Sequence, residues 1–217
     1  MATSTELKAR LQDSYIDFVL THGHDPESVY AFCKNLGINE GDFYQYHTSF
    51  AALQGAIWRQ FLEETTARAT GQEVWNGYNA REKTLSFFFI FIEMLTKRRS
   101  FVVFSFERLR RPETPNFLNG LRQDFDLFFE PILNQAVATG EVVERRPFRS
   151  RYADALWRQL VFVTRFWIDD LSTGFETTDE AIEKGVNLVF DFLGRTPLDT
   201  LIDYGRFRLR NASCRHE

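Results

Sequence analysis

The sequence predicts an all-α protein in which a small N-terminal helix-turn-helix domain precedes a larger C-terminal helical bundle. Three observations support this fold class. Apolar residues recur at the helical spacings of three and four along most of the 217 residues. Capping residues precede several of these segments, and Gly or Pro follows them. Residues 29–53 have the spacing of a helix, a tight turn, a short second helix and the start of a third. We therefore predict roughly eight to ten helices and no strand.

The first helix is predicted from a capping box in which Thr3 is followed three residues later by Glu6, and Gly23 ends the helix. Its apolar residues share one face because they recur at spacings of four and three. These residues are Leu7, Leu11, Tyr15, Phe18 and Val19. We expect this face to pack across the next two helices.

The next two helices are predicted from residues 29–53 and the residues just before them. Asp25 can cap the first of them with Pro26 at its first helical position. Gly37 suits the left-handed residue after its last turn, and Asn39 can cap the short second helix. This spacing is that of a helix-turn-helix.

The same residues resemble the helix-turn-helix of the TetR-type regulators, whose short pattern is G-(V/I)-S-x-G-x-(L/F)-Y-x-x-F-x-S-x-x-x-L. The chain matches this pattern at Gly37, Ile38, Gly41, Phe43, Tyr44, Ser49 and Leu53, and approximately at Asn39. The resemblance implies that residues 1–62 form the helix-turn-helix domain and that residues 63–217 form a ligand-binding and dimerisation domain.

Four positions depart from the family pattern. Glu40 replaces a basic or neutral residue, Asp42 replaces Thr, Phe50 replaces a phosphate-contacting Lys, and His47 replaces Phe. Residues 1–62 also contain four Lys or Arg against seven Asp or Glu. A surface that binds a duplex is normally basic because it neutralises phosphates. The scaffold is therefore kept while its DNA-facing chemistry is altered.

Two further helices are predicted around a break in the pattern. Ser49 opens a fourth helix that runs to about Thr70, after which Gly71 and Trp75 interrupt the apolar period. A second capping box, which begins at Asn79, opens a helix that is apolar almost all round. Such a helix is expected at the centre of the bundle.

The remaining segments complete the predicted bundle. Residues 101–109 favour a shorter helix, although a β-branched pair leaves a strand open. A long helix should start at Thr114 and end at Gly140, and another should cover residues 149–171. A capping box that begins at Thr177 introduces the last helix, which Gly194 and Pro197 stop.

The TetR resemblance implies that the second helix of the motif enters the major groove of operator DNA. Gln45 could read adenine, and Lys34, Tyr44 and Tyr46 could reach phosphates. The candidate DNA-binding residues are Lys34, Asn39, Tyr44, Gln45, Tyr46 and His47.

Phenylalanine is the outlier of the composition, with 23 Phe among 217 residues. So much aromatic area either fills a tight core or lines an apolar cavity. We predict a cavity for a small apolar effector, in the usual ~300–1,000 Å³ range. Its candidate lining residues are Phe88, Phe91, Phe125, Phe128 and Phe166.

The last two long helices carry more apolar residues than are needed for one apolar face packed against the core of the same chain. The TetR family pairs the equivalent helices of two copies into a four-helix bundle. Ile168, Ile182 and Val189 are therefore the candidate residues of a homodimer interface.

Several classes of site are not indicated by the sequence. It contains none of the nucleophile, phosphate-loop or zinc-protease motifs, so we expect neither an enzyme nor a cofactor. His22 and His24 are better explained as a solvated helix end than as metal ligands. The N-terminus has no apolar signal core, and no apolar run approaches the ~20 residues of a membrane span. A cytoplasmic protein is expected.

Two functions follow from these patterns. The first is a homodimeric TetR-type regulator that binds operator DNA and responds to a small apolar effector. The alternative is a TetR-like helical protein that has lost DNA binding and binds an apolar or lipid-like ligand. A short similarity of residues 166–178 to a ubiquinone-biosynthesis lipid-binding family points to the alternative.

Overall fold

The computed structural model describes residues 4–107, 117–144 and 150–194, together with residue 204. Nine α-helices lie in these ranges: α1 Ser4–His22, α2 Val29–Leu36, α3 Glu40–Tyr44, α4 Phe50–Thr70, α5 Ala80–Thr96, α6 Arg99–Glu107, α7 Phe117–Ala138, α8 Ser150–Asp169 and α9 Glu176–Leu193. Short 3-10 turns lie at Trp75–Gly77 and Thr173–Phe175. The described ranges contain no strand, and the all-α prediction is confirmed. None of the helices within them is both long enough and apolar enough to span a bilayer.

The start of α2 differs from the prediction. Ser28, not Asp25, is the N-cap, and its Oγ accepts a hydrogen bond from the Ala31 N–H at 3.1 Å. The Asp25 carboxylate instead accepts a hydrogen bond from the hydroxyl of Tyr15 at 2.6 Å. The predicted cap was wrong because Asp25 binds α1, and α2 therefore begins three residues later at Val29.

The turn between α2 and α3 agrees with the prediction. Gly37 has φ 67° and ψ 33°, in the left-handed region that favours glycine. The N–H of Ile38 donates to the carbonyl of Cys33 at 3.1 Å, which closes the end of α2. Asn39 is the N-cap of α3, and its N–H donates to the Asp42 carboxylate at 3.0 Å.

The fourth helix runs past the predicted domain boundary. Ser49 caps α4 as expected, because its Oγ accepts a hydrogen bond from the Ala52 N–H at 3.1 Å. The helix then continues without a break to Thr70 and packs against α1, α5 and α7. Residue 62 therefore lies inside a helix, and the division into residues 1–62 and 63–217 stays a prediction.

Helix α5 is central, as predicted. Its capping box is present: the Glu82 N–H donates to Asn79 Oδ1 at 2.9 Å, and the Asn79 N–H donates to Glu82 Oε2 at 2.8 Å. The helix contacts α4, α6, α7, α8 and α9. It is buried on nearly every side, and its fully buried members include Phe87, Phe88 and Leu95.

Helices α6 and α7 can be compared with the predictions for residues 101–109 and for the long helix that follows them. Residues 99–107 are helical, so the strand alternative is wrong for the part of that segment that the structure describes. Helix α7 continues through Pro131 on its exposed face and ends at Ala138, two residues before Gly140. The predicted start at Thr114 lies outside the described residues.

The N-terminus of α9 is capped from the preceding loop. Asp170 accepts hydrogen bonds from the N–H of Thr178 at 3.0 Å and from its hydroxyl at 2.6 Å. It also accepts bonds from the Ser172 N–H at 2.8 Å and the Thr177 hydroxyl at 3.1 Å. These bonds lower the pKa of the Asp170 carboxyl far below its usual value, the hydroxyl of Thr178 contributing most. The predicted capping box at Thr177 was therefore wrong, because Thr177 lies inside the helix as a donor.

Candidate functional site

The helix-turn-helix presents most of the predicted DNA-binding residues to solvent. Lys34 on α2, Asn39 before α3 and Gln45 after α3 are exposed. Tyr44 is 52% exposed at the end of α3, and Tyr46 is half-buried. The short α3 therefore carries a polar and aromatic surface that faces away from the core.

His47 lies beneath this surface. Its side chain is 4% exposed, and its ring lies 5.9 Å from the ring of Phe43. Nε2 is buried and has no hydrogen-bond partner among the described residues. Burial, with a smaller effect of the positive charge of Lys8, lowers the pKa of His47 to about 4. The ring is therefore neutral at physiological pH and takes the place of the family's Phe inside the fold.

Phe50 also points inward, although the family pattern has a phosphate-contacting Lys at this position. Its ring lies 5.4 Å from that of Phe32, 5.6 Å from that of Phe43 and 5.7 Å from that of Tyr15. These contacts join α1, α2 and α3 to the start of α4. The position therefore contributes to the core of the helix-turn-helix and not to a charged surface.

Two of the four cations of residues 1–62 are bonded to other parts of the fold. Arg10 donates to the carbonyl of Leu36 at 2.6 Å, and Arg59 pairs with Asp124 of α7 at 2.6 Å. Lys34 is the one Lys or Arg among residues 29–53, and it is exposed. Glu40 is exposed in the first turn of α3. The surface around α3 is therefore acidic to neutral.

An aromatic cluster fills the space between α5 and α7. We define it as Phe87, Phe88, Phe91, Phe125, Phe128 and Phe129. Phe87 is its centre, with ring centroids 5.0 to 6.0 Å from those of the other five. Four of the predicted effector-binding residues thus lie together, and the rings pack against one another. Sequence reasoning missed Phe87 and Phe129 as members, although both fall on the apolar period.

Phe166 lies apart from the aromatic cluster. It is half-buried on α8, and its ring contact is with Phe162, whose centroid is 6.0 Å away. A groove of about 640 Å³ lies along α7 and the start of α8. Its lining residues are Gln123, Asp126, Leu127, Glu130, Leu133, Asn134 and Ala153. None of the predicted effector-binding residues lines this groove.

The predicted dimer residues have different environments. Ile182 is 0% exposed within the single chain, so it belongs to the intramolecular core. Ile168 and Val189 are half-buried against that core. The large apolar side chains that do face solvent on α8 and α9 include Phe162 at 53%, Leu188 at 68% and Phe192 at 73% exposure. These residues could have been found in the sequence, because they lie on each helix beside the row of buried apolar residues.

Helices α8 and α9 approach each other closely along that flank. The side chain of Gln159 packs directly over Gly185, where a Cβ would lie 1.7 Å from Nε2. Phe162 follows Gln159 by three residues on α8, and Leu188 follows Gly185 by three residues on α9. Because residues three apart share a helix face, Phe162 lies on the same side of α8 as Gln159, and Leu188 lies on the same side of α9 as Gly185.

Two neighbouring arginines lie where α5 meets α6, and their contacts differ. Arg98 pairs with Asp13 of α1 at 2.9 Å. Arg99 is half-buried and lies over the Trp167 ring, with Cζ 4.7 Å from its centroid. No sequence pattern indicates this contact, since Trp167 lies 68 residues further along the chain.

Comparison with known protein families agrees with the fold. A family model described as tetracyclin repressor-like, C-terminal domain, matches residues 83–207, which is more than half of the chain. No curated protein sequence matches significantly.

The solved structures of similar fold include three bacterial proteins. A regulatory protein of the tetR family from Rhodococcus RHA1 is 16% identical, with 90% of this chain and 100% of that chain covered and a TM-score of 0.56. A protein of unknown function from Rhodococcus sp. RHA1 is 15% identical over 87% of this chain and 96% of that chain, with a TM-score of 0.56. The TetR family transcriptional regulator PfmR from Thermus thermophilus is 18% identical over 86% of this chain and 100% of that chain, with a TM-score of 0.52.

Proposed function

This chain belongs to the tetracyclin repressor-like family, and on that basis we propose that it is a homodimeric, ligand-responsive transcriptional regulator that binds operator DNA. The proposal includes no catalytic reaction and no cofactor. It divides the chain into a DNA-binding part, residues 1–62, and an effector-binding and dimerisation part, residues 63–217.

The observation that carries the proposal is the complete helix-turn-helix. Gly37 has the left-handed conformation of the turn, Asn39 caps α3, and Ser49 caps α4. Gln45 and Tyr44 remain exposed at the end of α3. A helix held in this way can enter a major groove, where Gln45 would read adenine and Tyr44 would contact a phosphate. Lys34, Asn39 and Tyr46 are the further proposed contacts, and His47 is left out because it is buried.

A specific observation favours the alternative function, in which DNA binding has been lost. Phe50 replaces a phosphate contact with a core ring, and Glu40 is exposed at the N-terminus of α3. Each of these changes removes attraction to phosphates or adds repulsion. The same scaffold would then serve as a binding protein for an apolar or lipid-like ligand.

Selection of bound DNA distinguishes the two functions. Genomic fragments are passed over the immobilised full chain at moderate salt, and the retained DNA is sequenced. The regulator is supported by enrichment of one sequence that the Gln45→Ala variant does not retain. If neither the wild type nor a variant with Glu40→Lys and Asp42→Thr enriches any sequence, DNA binding has been lost, as the alternative requires.

For the effector, we propose binding against the aromatic cluster, with Phe88, Phe91, Phe125 and Phe128 as contacts. These rings touch one another in the structure, so they would separate when a ligand enters. Native mass spectrometry of the purified protein tests this directly. An apolar molecule that copurifies with the wild type but not with Phe128→Ala supports the site, and equal retention by both proteins opposes it.

For the dimer, we propose that the exposed flanks of α8 and α9 pair with those of a second copy. The apolar surface that supports this is Phe162, Leu188 and Phe192, with Ile168 and Val189 beneath it. Burying such side chains from water on both copies is favourable at roughly 25 cal/mol per Å². A symmetric pair of these two-helix surfaces gives a four-helix bundle.

A further inference from the structure

Two buried N–H groups that have no hydrogen-bond partner among the described residues lie where the start of α6 meets the end of α8. They are Nη1 of Arg99 and Nε1 of Trp167. Trp167 is 0% exposed, whereas the Arg99 side chain is half-buried and so has a path to solvent. Unpaired buried donors are uncommon, because each has lost its hydrogen bonds to water. Here two of them are on side chains that contact each other, Arg99 and Trp167.

Three contacts fix the Arg99 guanidinium. Its Cζ lies 4.7 Å from the centroid of the Trp167 ring and 5.2 Å from that of Phe175. The two rings are themselves 5.8 Å apart. Nη2 donates to the carbonyl of Ile168 at 3.0 Å. The group is therefore held in place while Nη1 keeps an unused donor.

The positive charge of Arg99 is not balanced by any carboxylate of the described residues. The neighbouring Arg98 takes Asp13, and Arg99 itself has no ion pair within the described ranges. Asp170, just after α8, accepts bonds from Ser172, Thr177 and Thr178 instead. Arginine keeps its positive charge inside a protein. A negatively charged group is therefore the partner that Arg99 lacks.

We propose that Arg99, Trp167 and Phe175 form a binding site for the carboxylate group of an apolar organic acid. Arg99 would donate a charge-assisted hydrogen bond to the carboxylate, and the Trp167 indole would donate a second one. The rings of Trp167 and Phe175 would contact the apolar part of the ligand. A cation or a pure donor does not fit, because both unpartnered groups are donors and one is positively charged.

The position of this site also gives it a regulatory consequence. Only this consequence rests on the proposed function, and the binding site itself does not. Arg98, the residue before Arg99, pairs with Asp13 of α1 at 2.9 Å. The turn between α5 and α6 is thus bonded to the helix-turn-helix part on one side and to α8 on the other. A ligand bound at Arg99 would therefore act through this turn on the Arg98 contact with α1.

The test uses the full chain without DNA and sodium octanoate as the probe. Octanol and octylamine are the matched probes, since they keep the apolar chain and lack the carboxylate. We expect octanoate at millimolar concentration to raise the thermal midpoint of unfolding at least twice as much as octanol does. Octylamine should give no more than octanol.

Variants assign the effect to the named residues. Arg99→Gln should abolish the difference between octanoate and octanol. Trp167→Phe keeps an aromatic ring and loses the N–H donor, so octanoate affinity should fall several-fold. Arg165→Gln is the matched control, because Arg165 also lies over an aromatic ring, Phe106 at 5.8 Å, but is exposed. Its octanoate response should equal that of the wild type.

Three results would overturn the site. They are equal responses to octanoate and octanol in the wild type, unchanged octanoate affinity in Arg99→Gln, and no response to octanoate at any millimolar concentration. Circular dichroism separates loss of fold from loss of binding, and Trp167→Phe decides the question if Arg99→Gln does not fold. No DNA enters these measurements, so their failure would leave the regulator proposal standing.

Discussion

At the scale of single residues, His47 and Phe50 explain how the helix-turn-helix is retained while its surface changes. The family pattern has Phe at the position of His47 and Lys at the position of Phe50. His47 is buried, and Phe50 is half-buried against the core. Phe50 adds an aromatic contact where a surface Lys would add charge. His47 adds a ring that the fold holds in its neutral form, since burial lowers its pKa to about 4. The change at Phe50 therefore acts on the core and removes a surface charge, whereas the change at His47 acts on the core alone.

The lowered pKa of His47 predicts an acid-sensitive stability. The unfolded chain binds a proton at His47 near pH 6.5, whereas the folded chain does so only near pH 4. The unfolded state thus binds more protons between these values, so the free energy of unfolding falls as pH is lowered through this window. The loss from His47 should reach about 3 kcal/mol below pH 4.

Urea unfolding of the wild type and the His47→Phe variant between pH 7.5 and pH 4.5 checks this prediction. The variant matches the family residue and lacks the titrating group, so its stability should fall less over this range than that of the wild type. Parallel curves for the two proteins would show that His47 does not titrate with a lowered pKa.

At the scale of helices, the end of each element is set by the nearest group that satisfies its free N–H and C=O groups. Asn79 and Ser49 cap their helices with partners three residues away, so local pattern was sufficient to predict them. Asp25 and Thr177 were predicted incorrectly because their partners, Tyr15 and Asp170, come from other elements. A partner from another element leaves no local signal.

Because Asp170 caps α9, the thermal stability of the protein should depend strongly on its carboxylate. Asp170 satisfies donors of Ser172, Thr177 and Thr178 and is 8% exposed. Asp170→Ala should therefore lower the thermal midpoint by several degrees, because buried donors lose their acceptor. Asp179→Asn in the first turn of the same helix is the control and should change the midpoint much less. Differential scanning calorimetry near pH 7 makes the comparison, and equal effects would refute the cap.

At the scale of the whole molecule, composition and helical period were sufficient for the fold class but not for the sites. Phe88, Phe91 and Phe125 were predicted to line a cavity, and in the structure their rings are buried in the aromatic cluster because each lies on the buried face of its helix. Ile182 shows the limit of prediction from helical period. The period does not say which of two rows of apolar residues packs within the chain, and Ile182 is buried there. Arg99 shows another, because its contact with α8 depends on how distant helices are brought together.

The exposed flank of α8 and α9 predicts a dimer that one charge can disrupt. Wild-type protein at micromolar concentration should have about twice the chain mass of 25.5 kDa. Leu188→Glu would place a carboxylate in the proposed apolar interface, so it should weaken dimerisation at least tenfold. Leu127→Glu is a matched control, because Leu127 on α7 is also 68% exposed.

Light scattering with size-exclusion chromatography measures both variants. The dimer proposal predicts a monomer for Leu188→Glu and a dimer for Leu127→Glu. A wild type that elutes as a monomer would refute the dimer. A Leu188→Glu variant that remains a dimer would show that the interface lies elsewhere.

The central claim is that a TetR-type scaffold is retained with an acidic surface at α3, and the salt dependence of DNA affinity tests it most directly. Affinity for random duplex and for a selected fragment is measured by fluorescence anisotropy from low to moderate salt. Few Lys or Arg are available to release counterions, so we expect weak random binding and a shallow slope of log affinity against log salt. Replacing Glu40 by Lys and Asp42 by Thr should raise random affinity and steepen the slope by about one. A steep slope in the wild type, with tight random binding that the double change does not alter, would contradict the claim.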